Sequence, residues 1–369
     1  MKYLNKFILC FIAVVFCIGT LQAQIHTWTG PAAFMEDEEI TIYFNVCATP
    51  LAGVTGPMTL WSSANGGALE ASGECDTVAE NIYKFTMTPA TFYGMAIDSI
   101  NGKLVDPEGA ETNVFTLAPF DFGLAAGAEY TVYPQPASYG ENLSIIFNAA
   151  LSTEMQGVSP VYMWAWANEY DPSEPPGQGS WGAYTDKALC EQIEGDIWRK
   201  DFVPLEYWET TTPMTEFGYL FANSTGTAQT TDQLQPVLPP FNCDKPSITF
   251  PRLFTQGDVV TIVCNTNMEE FESLAGVDKV YIWTYTNNGD STDYNPLPNW
   301  NWIVYPPDKV NNAKMENKGN GIHEITFIPW YYYSVDNPEY LISKMTFVFR
   351  NRLGSIKSLE TPVDVLPAD

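Results

Sequence analysis

One pattern recurs along this chain, and it limits the fold more than any other feature. The run Ile40-Thr-Ile-Tyr-Phe-Asn45 returns as Leu143-Ser-Ile-Ile-Phe-Asn148 and as Val260-Thr-Ile-Val-Cys-Asn265. A Pro-x-x-aromatic element precedes each run, at Pro31/Phe34, Pro136/Tyr139 and Pro251/Phe254. A tryptophan closing an apolar run follows each, at Trp61, Trp164 and Trp283. Next comes an isoleucine seven residues before a proline, then two aromatics: Ile82…Pro89…Phe92-Tyr93, Ile197…Pro204…Tyr207-Trp208 and Ile322…Pro329…Tyr332-Tyr333. A strand closed by a glycine reads Ile97…Gly102, Phe221…Gly226 and Phe349…Gly354. Each copy ends near Leu117-Ala-Pro119, Val237-Leu-Pro239 or Val365-Leu-Pro367. Landmarks in fixed order across three copies define a tandem repeat. After residues 1–23, the domains read as 24–131, 132–246 and 247–369.

Each copy is written in strand chemistry. β-branched and aromatic residues fill the apolar runs and suit a pleated, half-buried surface. Phe85-Thr-Met-Thr and Ile325-Thr-Phe-Ile alternate with period two. Asn, Gly, Pro and Asp cluster between the runs, where turns are needed. Helical periodicity is almost absent; 185–193 offers one short helix and 269–275 a turn or two. About seven strands in about 100 residues fit a two-sheet immunoglobulin-like sandwich. The expected fold is all-β: three tandem sandwiches after a signal peptide.

The N-terminus sets the compartment. Lys2 and Lys6 precede the apolar run Phe7–Ile18, and Ala23 offers a cleavage point, so residues 1–23 read as a secretory signal. Twelve apolar residues span about 18 Å of helix, too short for a bilayer of about 30 Å. No later stretch is long enough for a transmembrane helix. Neither Cys10 nor Cys17 follows a small residue, so no lipid-anchor motif reads here. The expected location is extracellular or on the outer-membrane surface. An oxidising compartment permits disulfides. Two pairings lie within single domains, Cys47 with Cys75 and Cys190 with Cys243, and Cys264 reads as a buried thiol.

Charge and residue types narrow the function. The formal charge is −27, and 15 basic against 44 acidic residues remain once both signal lysines are gone. Such a surface repels phosphate backbones, which excludes nucleic acid as a partner. With two histidines, His26 and His323, there is little material for a Ser-His-Asp triad. The expectation is a non-catalytic protein without a cofactor. Glu36-Asp37-Glu38-Glu39 and Asp290…Asp293 lack EF-hand spacing; they read as solvated loops, with a structural calcium as the alternative.

The aromatics carry the functional reading. Trp61, Trp164 and Trp283 recur in every copy and are expected in the core, as are Tyr93, Trp208 and Tyr333. The second and third copies insert long polar loops after their tryptophans. These bring Trp166, Tyr170 and Trp181, then Tyr294, Trp300, Trp302 and Tyr305. The first copy has Ser-Ser-Ala-Asn-Gly-Gly there instead. Surface loops carry function more often than cores do, and an exposed ring beside amides and carboxylates suits the apolar face of a neutral sugar. These seven residues are the candidate ligand contacts, and a polysaccharide or oligosaccharide is the expected partner. The alternatives are an adhesive protein contacting other surface proteins and a secreted glycoside hydrolase.

The signal, the tandem sandwiches, the Tyr-Ile-Trp283 strand and the Phe-Val-Phe349-Arg-Asn-x-x-Gly354 turn together resemble surface glycan-binding proteins of polysaccharide-utilisation systems in Bacteroidetes. These include starch-binding outer-membrane proteins of the Sus E and F type. The resemblance implies an N-terminal spacer followed by two non-catalytic carbohydrate-binding domains.

Overall fold

The computed structural model describes residues 25–367 apart from 171, 244–246, 288–292, 301, 303, 304 and 338. The signal segment and Asp290 lie outside the described residues. The repeated six-residue runs are strands. In the first copy the chain forms β1 (His26–Gly30), β2 (Ile40–Asn45), β3 (Met58–Ala64), β4 (Glu70–Ala79), β5 (Ile82–Met87), β6 (Ile100–Val105) and β7 (Phe115–Leu117). The second forms β8 (Tyr130–Tyr133), β9 (Leu143–Asn148), β10 (Tyr162–Trp166), the two-residue β11 (Gly179–Ser180) and β12 (Ala183–Tyr184), β13 (Glu191–Glu194), β14 (Ile197–Phe202), β15 (Glu216–Ala222) and β16 (Gln233–Pro236). The third forms β17 (Ser247–Phe250), β18 (Val260–Asn265), β19 (Tyr281–Thr286), β20 (Glu316–Gly319), β21 (Ile322–Phe327), β22 (Lys344–Arg350) and β23 (Thr361–Asp364).

Pairing gives the same topology three times. One sheet runs β13-β14-β9-β8 in the second copy and β20-β21-β18-β17 in the third; the facing sheets run β10-β15-β16 and β19-β22-β23. Lettered A to G along the chain, the strands form an A-B-E-D sheet over a C-F-G sheet. That is the constant-type immunoglobulin arrangement. In the first copy the long β4 pairs with β3 through Glu70–Cys75 and with β5 through Asp76–Ala79, so it joins both sheets into one. Each sandwich holds its own apolar core. Ile40, Ile42 and Phe44 fill the first, Leu143, Ile145 and Phe147 the second, and Val260, Ile262 and Cys264 the third.

Three sequence expectations change. Residues 185–193 form turns leading into β13 rather than a helix. Short helices instead begin at Pro89, Pro204 and Pro329, where proline suits the first helical position; at four or five residues they are too short to show periodicity. Gly102 lies inside β6 with Phe115 against it, and the first copy's turn glycine is Gly109 (φ 88°). Gly109 follows Leu104 by five residues, as Gly226 follows Phe221 and Gly354 follows Phe349.

The sandwiches also pack on one another. Strand β9 is buried at all six positions, because its outer face meets the first copy. There Ile146 clusters with Ala33 and Ala125, and the Ser144 Oγ accepts from the Ala33 N–H (2.7 Å). Arg199 is 4% exposed and forms a bidentate pair with Glu38 of the first copy (2.8 and 2.9 Å), with Glu191 and Asp201 also in contact. A second junction gathers Cys47, Phe241, Val263 and Ile322. It is closed by a Cys47–Cys243 disulfide across 196 residues of sequence. Neither intradomain pairing forms: Cys75, Cys190 and Cys264 are free and buried. Cys75 and Cys190 face separate sandwich cores, whereas Cys47 and Cys243 lie where the segment before β17 crosses the first copy.

Candidate binding face on the second sandwich

The C strands place their aromatics by simple alternation. In β10, Met163 and Ala165 point into the core, so Tyr162, Trp164 and Trp166 line the outer face of the C-F-G sheet. In β19, Ile282 and Thr284 are buried, while Trp283 and Tyr285 are half-buried on the outer face. Trp61 takes the same outward place in β3. The repeated tryptophans are therefore not the core residues that the repeat suggested. Of the residues grouped with them, Trp208 (4% exposed) and Tyr333 (3%) are buried as expected, and Tyr93 is half-buried.

Trp181 joins this face from the loop between β10 and β13. It meets Trp164 edge-on (centroids 5.7 Å) and Tyr184 likewise (5.8 Å), and Tyr184 stacks on Tyr162 (5.1 Å). The Trp181 ring sits over the turn glycine, with Nε1 2.6 Å from where a Cβ at 226 would lie. Gly226 has φ 70°, a conformation that L side chains avoid, so this position excludes a side chain twice over. Trp166 lies across Gly218, its cross-strand neighbour in β15. Trp181 remains 44% exposed, the one tryptophan among the exposed large hydrophobic residues.

The third copy builds the same constellation, but its own cations cover part of it, leaving Trp300 half-buried. Trp300 meets Trp283 edge-on (5.4 Å) and lies over Gly354, also at φ 70°. Here, however, the Arg350 guanidinium is 3.9 Å from the Trp300 centroid and 4.2 Å from that of Trp302. Arg350 is fully buried and donates to the carbonyls of Trp300, Asn351 and Arg352; burial pulls its pKa down to about 10. Lys357 lies 5.1 Å from the Trp300 ring. By register, Ala222 and Gln229 hold the places of Arg350 and Lys357 in the second copy. Cation–π contacts thus occupy the third copy's ring and leave the second copy's ring open.

The other candidates are placed differently. Trp302 is 2% exposed inside the third core, so no ligand touches it in this arrangement. Tyr170 and Tyr294 hold the inserted loops down: their hydroxyls donate to the Thr212 carbonyl (2.7 Å) and to Asp336 (2.5 Å). Tyr305 accepts from the Asn299 N–H (2.9 Å) and packs on the third core. Sequence reasoning missed Tyr162, Trp164 and Tyr184. A signal was present: Trp181 follows Trp164 by seventeen residues, and Trp300 follows Trp283 by the same interval.

Titratable groups elsewhere serve the fold. His323 is 1% exposed in β21, and burial lowers its pKa. Asp201 is raised to about 6 by burial, but inside the Arg199 cluster. In the acidic run 36–39, Glu36 accepts from the Ile97 N–H and Glu38 pairs with Arg199, so these two are internal partners rather than solvated charges. Among the described residues, no three acidic, His or Cys side chains converge as a cation site. No described helix is long and apolar enough to cross a membrane.

No protein-family model matches the chain, and no curated protein matches it. Among solved structures it is similar to the Escherichia coli adhesin FdeC, with TM-score 0.21 and 13% identity over 95% of this chain and 99% of that one. It is also similar to a structure of a 1.5-MDa bacterial ice-binding adhesin (TM-score 0.20, 7% identity, 93% and 98% covered). A third is trypsin-activated alpha-2-macroglobulin from Escherichia coli (TM-score 0.22, 9% identity, 94% and 24% covered). At TM-scores this low, neither kinship nor function follows from the likeness. The immunoglobulin-like assignment rests on the strand order itself.

Proposed function

We propose that this chain is a non-catalytic adhesive protein of the cell exterior that holds its target on the aromatic face of its second sandwich. One observation carries this reading. The same tryptophan pair over the same turn glycine occurs twice, and only the second copy leaves its ring 44% exposed. A large exposed ring braced against a sheet is a ready contact, since its order is already set by packing on Trp164 and the Gly226 turn before a ligand arrives. The cross-linked junction at Cys47–Cys243 supports an oxidising, external location. The signal segment at 1–23 and boundaries near 131 and 246 belong to the same proposal.

In its narrower form, the ligand is a glycan and the protein is of the Sus E and F type. Indole and phenol planes pack against the C–H face of a sugar ring, and a neutral glycan meets no repulsion from the chain's charge of −27. The first copy would then need no aromatic face, and the third copy's partly covered face would be structural. Affinity electrophoresis through gels cast with different polysaccharides tests the glycan form. Retardation on at least one polysaccharide supports it. No retardation on any, with the fold intact by circular dichroism, overturns it in favour of a protein target on the same face.

A further inference from the structure

The first sandwich carries a cleft that its two siblings fill with their own chain. In the second copy the loop inserted after β10 folds over the short helix at Pro204–Tyr207. There the Trp208 indole donates to the Ser173 carbonyl (2.9 Å), and the Tyr170 hydroxyl donates to the Thr212 carbonyl. In the third copy the corresponding loop is tied down beside the helix at Pro329–Tyr332. Its Tyr294 hydroxyl donates to Asp336 and its Asp293 accepts from the Tyr340 hydroxyl (2.6 Å). Under these loops Trp208 is 4% exposed and Tyr333 3%. The first copy has no inserted loop. Its β3 turns back through Asn65-Gly66, both at positive φ, straight into β4.

What remains open is a cleft of about 400 Å³ beside the helix at Pro89–Tyr93. Its floor is a hydroxyl network: the Ser62 Oγ lies 2.6 Å from both the Ser72 Oγ and the Tyr93 hydroxyl. The third copy has the equivalent pair, Thr284 with Tyr333, fully covered. The rim of the first copy's cleft carries Phe92 (41% exposed) and Met95 (53%), with Glu70 opposite. Tyr93 thus occupies the place of two buried aromatics but is only half-buried, because nothing in its own copy covers it.

We propose that this cleft binds an extended, tyrosine-bearing loop of a partner polypeptide, in the way the second and third copies bind their own inserted loops. The siblings identify the occupant by its chemistry: a polar segment rich in Pro, Asn and Gly, with a backbone carbonyl placed to accept from the aromatic at the Tyr93 position, as Ser173 accepts from Trp208, and one tyrosine reaching past the helix. The first sandwich is then a docking module rather than a spacer. The inference is independent of the glycan reading, since it concerns a different sandwich and a different kind of ligand.

The test uses the full mature chain and two synthetic peptides with the sequences of residues 167–178 and 293–300. Amide resonances of isotope-labelled protein are followed during titration, for wild type and for Ala68→Trp, which puts an indole into the cleft. Saturable shifts at Ser62, Ser72 and Tyr93 with at least one peptide, weakened tenfold or more in Ala68→Trp, are expected. Tyr93→Phe keeps the ring and removes the hydroxyl, so a severalfold loss is expected there without change in the rest of the spectrum. Absence of saturable shifts with both peptides at millimolar concentration would overturn the proposal. So would shifts that persist unchanged in Ala68→Trp, or a maltooligosaccharide series that moves these resonances when the peptides do not.

Discussion

Removing the bridge between Cys47 and Cys243 should be among the most costly changes available in this protein. The two residues are 196 apart in sequence, and the closed loop contains the whole second sandwich. Chain-entropy reasoning for a loop of that length gives about 5 kcal/mol of stabilisation. If the second sandwich stays folded while the junction opens, the effective loop is shorter and the term falls toward about 3 kcal/mol. Both cysteines also sit in an apolar cluster with Phe241, Val263 and Ile322, so the double variant Cys47→Ala/Cys243→Ala loses some packing as well. We expect a loss of about 3–5 kcal/mol in guanidinium unfolding followed by tryptophan fluorescence, with a first transition that appears only in the variant. Peptide mapping of the unreduced protein should recover the 47–243 pair. Cys75, Cys190 and Cys264 should accept alkylation only after unfolding; burial pushes the Cys75 and Cys190 thiols up to about 12 and the Cys264 thiol well above its ordinary range. An unchanged midpoint, or recovery of a Cys47–Cys75 pair, would refute the argument that the segment before β17 is fastened to the first sandwich.

Two further changes probe the interface and the aromatic face. Asp201 is held near pKa 6 by burial against an ordinary 3.8, so the folded state keeps its proton between about pH 4 and 6 while the unfolded chain has lost it. Its contribution to stability therefore falls as pH rises through that window, and Asp201→Asn should raise stability at pH 7.5 by roughly 1–3 kcal/mol but have little effect near pH 4. A loss at pH 7.5 would show that the Arg199 contact outweighs burial. Gly226→Ala should cost about 1–2 kcal/mol for the left-handed backbone alone. Its Cβ would also meet the Trp181 indole, so a red-shifted tryptophan emission should accompany the loss; an unaltered spectrum would mean the ring does not rest on the turn.

The strands were the most legible part of this chain. The three repeated runs mark β2, β9 and β18 to the residue, because a core strand's alternation must recur wherever the same sandwich is built. The tryptophans were misplaced for a reason in the same physics. A recurring large apolar residue suggests a core, but the parity of a strand decides which face it takes, and Met163 and Ala165 already claim the inner face of β10. Whether a ring stays open was not legible at all. It depends on Arg350 and Lys357, which come from a different strand and turn and carry no local pattern pointing to Trp300. The disulfide was hidden likewise, since spacing along the chain says nothing of how the second sandwich folds back to bring Cys243 to Cys47.

If the open aromatic face of the second sandwich is the binding surface and the partly covered face of the third is not, truncations on the two faces must differ in effect. The most direct measurement compares retardation of wild type, Trp181→Ala and Tyr285→Ala in the affinity gel that holds the wild-type protein best. Truncating a tryptophan anchor at a binding centre typically costs 2 kcal/mol or more, about thirtyfold in affinity. Trp181→Ala should show that loss, and Tyr285→Ala, which changes the equivalent face of the third sandwich, should keep wild-type retardation. Retention of full affinity by Trp181→Ala, with the loss falling on Tyr285→Ala instead, would contradict this assignment of the binding surface.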